Sequence, residues 1–251
     1  MRRLLRFLVV LAIGGVAVVA VMLCGMYRAT QQSPEFYTAA LEAPPQVQAE
    51  AGDELERRVL ELRNELQQPG RWEAQFTQEQ INGWLAADLP GKFPNLLPGG
   101  ISDPRLALEP SLTKLACRYQ DQRISTVVSL DADVYLTDEP NVVAVRLRQV
   151  RAGSLPIPLG QFLDQISRRA AEGGLALRWS EQEGDPLALL TIPPQIDERQ
   201  KLLLHLDTIE VLAGQVRFAG RTEPLSAQDF RGQPASHQAS GRKLDSRARQ
   251  L

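Results

Sequence analysis

The sequence predicts an α+β protein: an N-terminal transmembrane helix, then a strongly twisted, curled antiparallel sheet packed on two or three amphipathic helices. Three observations carry that expectation. Phe7 to Tyr27 is a run of 21 residues without a charge, residues 55 to 89 place apolar side chains at helical spacing, and from Ile101 onward apolar residues recur at every second position.

At about 1.5 Å rise per residue, the first run as a helix spans roughly 30 Å, the thickness of a bilayer hydrocarbon core. Arg2, Arg3 and Arg6 precede it and only Arg28 follows closely, so the positive-inside rule keeps residues 1–6 cytoplasmic and the remainder extracytoplasmic. The expected location is a cell membrane, crossed once. A cleaved signal peptide is the alternative, although a signal's apolar stretch is typically about 7 to 15 residues and no convincing A-x-A motif precedes Ala29. Lipid attachment at Cys24 after cleavage is a third option, weakened by Leu23 where a small residue is expected.

Residues 29–46 are polar and carry Pro34, Pro44 and Pro45, which suits a tether. Residues 47–68 then repeat Leu55, Val59, Leu62 and Leu66 at helical spacing and end at Pro69-Gly70. A second helix starts at Thr77, where Gln80 three residues on completes a capping-box pattern, and Ile81, Trp84, Leu85 and Leu89 follow on one side. Pro90-Gly91 stops it, and a Pro- and Gly-rich connection leads to Ile101.

Leu106 and Leu108 alternate, as do Leu115, Cys117 and Tyr119. Ile124, Thr126, Val128, Leu130, Ala132, Val134 and Leu136 then share one side of a long strand, with Ser125, Ser129, Asp131, Asp133 and Thr137 on the other. Asp138 to Asn141 supplies a turn, and residues 142–151 return with Val143, Val145 and Leu147 in register. Prolines 156 and 158 break the ladder before a short helix using Leu159, Phe162, Leu163 and Ile166, closed by Gly173-Gly174. Strands are expected at 175–180, 186–192, 201–206 and 209–219. The resulting division is 1–28 anchor, 29–71 tether and helix, 72–220 extracytoplasmic α+β domain, and 221–251 basic disordered tail.

Charge narrows the partners. Residues 29–220 hold 18 bases against 27 acids, net −9, and an acidic face is poorly suited to neutralising phosphates, so no nucleic-acid partner is expected. Cys24 and Cys117 fall on different sides of the membrane boundary and cannot form an intramolecular bridge; Cys117 reads as a small buried hydrophobe. His205 and His237 lie far apart in sequence, neither at ligand spacing to a cysteine, so no metal or other cofactor is expected. The chain has no G-x-S-x-G or H-E-x-x-H motif and no phosphate-cradling loop. Asp131 and Asp133 sit roughly 7 Å apart at i,i+2 on a strand, a separation some glycosidases use, but polar residues on a wet strand face need no catalytic explanation. His205 lies opposite Leu204 and Leu206 and reads as structural. Trp72, Trp84 and Trp179 read as core, with a ligand groove as the alternative.

The segment FTQEQINGWL (Phe76 to Leu85), followed after the strands by VRAGSLPIPLGQFL (Val150 to Leu163), resembles the YpmS-like proteins, single-pass bacterial proteins with an extracytoplasmic domain and no settled activity. That layout is in turn similar to tubular lipid-binding domains, in which a curled sheet wraps a helix and leaves an apolar groove. The resemblance implies a non-enzymatic, membrane-anchored envelope protein that binds a lipid or other apolar ligand. Ile81, Trp84, Leu85, Ile124, Val128, Leu130, Val134, Val143, Val145, Leu147, Phe162 and Ile166 are the expected lining, and a solid core built of the same residues is the alternative. A second expectation is a scaffold or interaction module for an envelope protein partner, using the helix 47–68. An envelope enzyme ranks third.

Overall fold

A computed structural model describes residues 32–94, 96–122, 124–157, 160–172, 174–194 and 202–225. The expected membrane span, Cys24, Leu159, Gly173, His237 and the tail from 226 onward lie outside the described residues. No helix among the described residues is long and apolar enough to cross a membrane.

The fold is α+β, and its strands pair antiparallel throughout. It opens with helices α1 (Glu35–Leu41) and α2 (Pro45–Leu66), strand β1 (Gly70–Thr77), and helices α3 (Gln78–Ala87) and α4 (Leu89–Lys92). A meander follows: β2 (Ile101–Glu109), β3 (Leu112–Gln120), β4 (Ser125–Leu136) and β5 (Val142–Ala152). The short β6 (Leu155–Pro156) folds back on β5 and leads to α5 (Gly160–Glu172). The chain closes with β7 (Ala176–Gln182), β8 (Asp185–Thr191), β9 (Leu202–Leu212) and β10 (Gln215–Pro224).

Two sheets result rather than one. The larger runs β2-β3-β4-β5-β8-β7, with β6 beside β5, and the smaller runs β1-β10-β9. Their apolar faces meet in a core of Trp72, Val143, Leu204 and Leu206, joined by Val134, Leu136, Val145 and Leu190 from the large sheet and by Leu62 and Leu66 from α2. A second cluster, Leu106, Leu108 and Val211, packs against Ile81 and Leu85 of α3 and shares Val134 with the first. Fully burying a side chain of this kind contributes about 1.5–3 kcal/mol, so these contacts are the main reason the two sheets stay together.

Helix boundaries follow local chemistry. Pro45 opens α2 at a position where its missing N–H costs nothing. Thr77 caps α3: its hydroxyl accepts from the Gln80 N–H at 3.2 Å while Gln80 Oε1 accepts from the Thr77 N–H at 2.9 Å. Helices α2 and α3 cross where Gly52 meets Gly83, and a Cβ on Gly83 would stand 2.5 Å from the Gln48 carbonyl oxygen. Only small residues permit that approach.

Open edges are closed by side-chain amides. At the outer edge of β2, Asn82 of α3 donates to the Leu106 carbonyl and accepts from the Leu106 N–H, both at 2.8 Å, and Gln78 accepts from the Leu108 N–H. Asn141, in the β4–β5 turn, treats β9 the same way. Its Nδ2 donates to the Leu204 carbonyl at 2.7 Å and its Oδ1 accepts from the Leu206 N–H at 2.8 Å, while its own carbonyl accepts from the Ile192 N–H. Asn141 is buried with φ +58°, a conformation asparagine tolerates better than most residues.

Four expectations are corrected. Residues 70–77 form a strand, because Trp72 and Phe76 alternate with Arg71, Glu73 and Gln75, whereas the sequence pattern places Phe76 only at a helix start. The break expected near residue 207 is a bulge: Leu206 opposes Gly220 and Thr208 opposes Ala219, and the true turn is Ala213-Gly214, where Gly214 has φ +72°. The last strand runs to Pro224, past the expected tail boundary. The stretch read as a tether contains α1, which packs on β2 and is held by Tyr37, only 1% exposed.

Tyr37 is an unusual peg. Its hydroxyl is buried without a hydrogen-bond partner, and burial, reinforced by Asp103, raises its pKa above the usual phenol range. Because the folded phenol titrates above the unfolded one, its contribution is complete below about pH 10 and is lost as pH climbs toward the folded value. Tyr37→Phe should therefore be neutral or stabilising by about 1 kcal/mol at pH 7 and should lessen the fall in melting temperature between pH 8 and pH 11. Asn141→Ala should cost about 2–5 kcal/mol in urea unfolding, since it strands two buried backbone groups. Asn141→Gly, which relaxes the backbone but not the loss of the amide, should restore only a minor part.

Candidate functional site

The site begins with strand register. Directly opposed residues in antiparallel strands share a face, so Leu106, Leu115, Leu130 and Val150 form one row across β2 to β5, and Cys117, Val128 and Ala152 form the next. This is the face that turns toward the small sheet, because Ala132, Val134 and Leu136 continue it along β4. The row is unevenly covered. Leu106 and Val150 at its ends are buried, whereas Leu115 between them is 37% exposed and Leu130 and Val128 are half-buried.

Helix α5 joins the same face from the far edge. Trp179 opposes Ala188, which opposes Val145, so the indole lies on the apolar side, where its Nε1 donates to Ser167 Oγ of α5 at 2.7 Å. Ile166 of that helix is 37% exposed. An apolar strip on the sheet and an apolar residue on the helix both remain open to solvent. A contiguous apolar strip left partly open is a candidate place for an apolar partner to sit.

The opposite face of the large sheet is laced with ion pairs. Arg148 meets Asp133 at 2.5 Å, Arg146 meets Asp185 and Glu183, and Arg178 meets Glu139. Hydrogen bonds from Arg178 hold the Glu139 carboxyl below its usual range. Asp133 is thus already engaged by a guanidinium, and Asp131 lies between Lys114 and Gln149 in the register. His205 faces away from Leu204 and Leu206, opposite Arg221, which itself pairs with Asp207 and Glu223. Burial pushes the Cys117 thiol up, as expected of a small residue in an apolar strip. Among the described residues, no group of three or more His, Cys, Asp or Glu is placed to hold a metal.

The expected lining residues divide into three groups. Val134, Val143 and Val145 pack into the core between the sheets, Leu147 is buried, and Ile81 and Leu85 pack on the second cluster. Val128 and Leu130 belong to the open strip, and Ile166 lies exposed on α5. Trp84 belongs to neither: its indole nitrogen donates to Glu56 of α2 at 3.2 Å and its ring lies 5.9 Å from Phe93, so it faces α2 and not the sheet. Ile124 precedes β4 and is exposed. Phe162 lies on α5, and its side chain is outside the described residues. Among the tryptophans, Trp72 is core, with Gly220 so close that a Cβ there would sit 2.4 Å from the indole.

Residues that the sequence did not single out include Leu115, Tyr37, Asn82 and Asn141. Leu115 is readable as one side of an alternating strand, but its exposure depends on how far the small sheet and α3 extend over the large sheet. The asparagines carry no local pattern that distinguishes an edge latch from an ordinary turn or helix residue. No protein family matches the chain, and neither a curated protein nor a solved structure matches it.

Proposed function

We propose that this chain is a non-enzymatic, membrane-anchored envelope protein that binds a lipid or other apolar ligand along the large sheet beside α5. The observation that carries the reading is the open strip of Leu115, Leu130, Val128 and Cys117, continuous with the core yet left accessible. An acyl chain laid on that strip would cover Leu115 and Leu130 together, at about 25 cal/mol for each Å² of apolar surface removed from water. The uncharged run Phe7 to Tyr27 supports an anchor with the described domain on the extracytoplasmic side. The YpmS-like resemblance accords with the same reading.

The full-length protein purified in mild detergent and analysed by native mass spectrometry is expected to retain or take up phospholipid. Leu115→Asp with Leu130→Asp should weaken uptake by at least about tenfold, because a carboxylate in an apolar site must be desolvated. A protein that takes up no lipid, or whose double variant with an unchanged melting temperature binds equally well, sinks the reading.

A second reading, docking of an envelope protein partner on α2, is favoured by one observation: Val59 and Leu60 are exposed on that helix, whereas Leu62 and Leu66 pack into the core. Its test is therefore confined to the exposed pair. Val59→Asp with Leu60→Asp should leave the unfolding free energy within about 1 kcal/mol of wild type while abolishing in-membrane crosslinking to a stoichiometric partner.

A further inference from the structure

Between α4 and β2 the chain runs from Phe93 to Gly100 without a single charged residue. Phe93 is 50% exposed and Leu96 58% exposed, although both are large and apolar. The base of this loop is firmly held. Phe93 stacks in a tilted contact on Trp84, and Lys92 bonds to Asp88 at 2.8 Å and to Glu56 of α2. Lys92 donates hydrogen bonds to those carboxylates, and they raise its pKa. At the other end, the Gly100 carbonyl accepts from the Gln120 N–H at 2.7 Å. An apolar tip on a fixed base, flanked by a cation and aromatic rings, is the composition found where proteins meet the membrane interface.

The path of the chain places that loop near its own point of entry. Helix α1 packs on β2, and Tyr37 lies close enough to Asp103, Arg105 and Arg118 to feel their charges, which puts α1 at the beginning of β2 and the end of β3. The loop feeds directly into Ile101, the first residue of that same strand. Only residues 28–34 separate Tyr27 from α1, at most about 25 Å when extended. We propose that Phe93 and Leu96 insert into the outer face of the bilayer that holds residues 7–27, giving the domain a second, shallow membrane contact. The proposal rests on the anchor reading above, because the anchor fixes which end of the domain faces lipid. Two contacts also fix the orientation of the domain, which a single one does not.

The test uses the full chain in phosphatidylcholine/phosphatidylglycerol liposomes, with Cys24→Ala and Cys117→Ala as background and an environment-sensitive fluorophore at one introduced cysteine. Leu96→Cys is the loop position, Val18→Cys reports the anchor, and Ser180→Cys on β7 is the solvent control. The loop label is expected to lose about half its emission to a lipid-borne quencher at shallow depth and little to one at the bilayer centre, where Val18→Cys responds most. The Ser180→Cys label should respond to neither. Should Leu96→Cys behave like Ser180→Cys while Val18→Cys is quenched, the second contact is overturned and the anchor stands. Loss of quenching at Val18→Cys and Leu96→Cys alike overturns the anchor reading and the proposal with it.

Discussion

A sheet edge exposes a row of N–H and C=O groups that must find partners, and the way this protein satisfies that demand governs the rest of its structure. Asn141 and Asn82 each present an amide whose donor and acceptor match the spacing of one strand's outward-facing backbone groups. Asn141 therefore acts as a surrogate strand between the β4–β5 turn and β9, and through its own carbonyl it also holds Ile192 just beyond β8. The two sheets are brought into register by this turn before any apolar contact is counted. Packing of Trp72, Val143, Leu204 and Leu206 then adds the larger energy, but to an arrangement whose geometry the amide has already specified.

The same arrangement explains why an apolar strip stays open. The small sheet is three strands wide and is tied at β9 to the β4–β5 turn, so it covers Val134, Val143 and Val145 and stops. Helix α3 is tied by Asn82 and Gln78 to the edge of β2 and covers Leu106 and Leu108. Neither cover can slide toward Leu115 and Leu130 without giving up its backbone hydrogen bonds. Helix α5 arrives from the opposite edge, held to Trp179, and its Ile166 remains open to solvent. The interior is thus filled where the covers sit and accessible between them, which gives partial answers to both of the alternatives a one-sided sheet allows.

Much of the fold was legible because its signals are local. The Thr77–Gln80 capping box, the helix ended by Pro69-Gly70 and the alternation from Leu106 to Leu136 depend on neighbours within a few residues, and all are present. The division into two sheets was not legible, because β1 pairs with a strand almost 150 positions away and nothing near Trp72 announces that partner. The continuity of β9 through residues 207 and 208 was not legible for a related reason: only the cross-strand register reveals a bulge there. Of the expected lining residues, those on β4 and β5 were correctly placed on the apolar face, but whether each is covered depends on the tertiary position of α3 and α5. Trp84 was assigned to the sheet side although the Gly52–Gly83 crossing brings it to α2, a close approach that becomes visible only when both helices are in place.

Tyr37 has a mechanical consequence. A pull on the chain at residue 32 is not delivered to the start of α2 or to a loose linker; it first meets the phenol seated against β2. That strand is hydrogen-bonded to β3 on one side and to the amides of Asn82 and Gln78 on the other, so the load is shared among several backbone bonds instead of opening one. The domain behind it can be dragged or tilted as a unit before its core is strained. A short helix seated by one buried side chain thereby serves as the coupling through which movement of the preceding segment reaches the folded body.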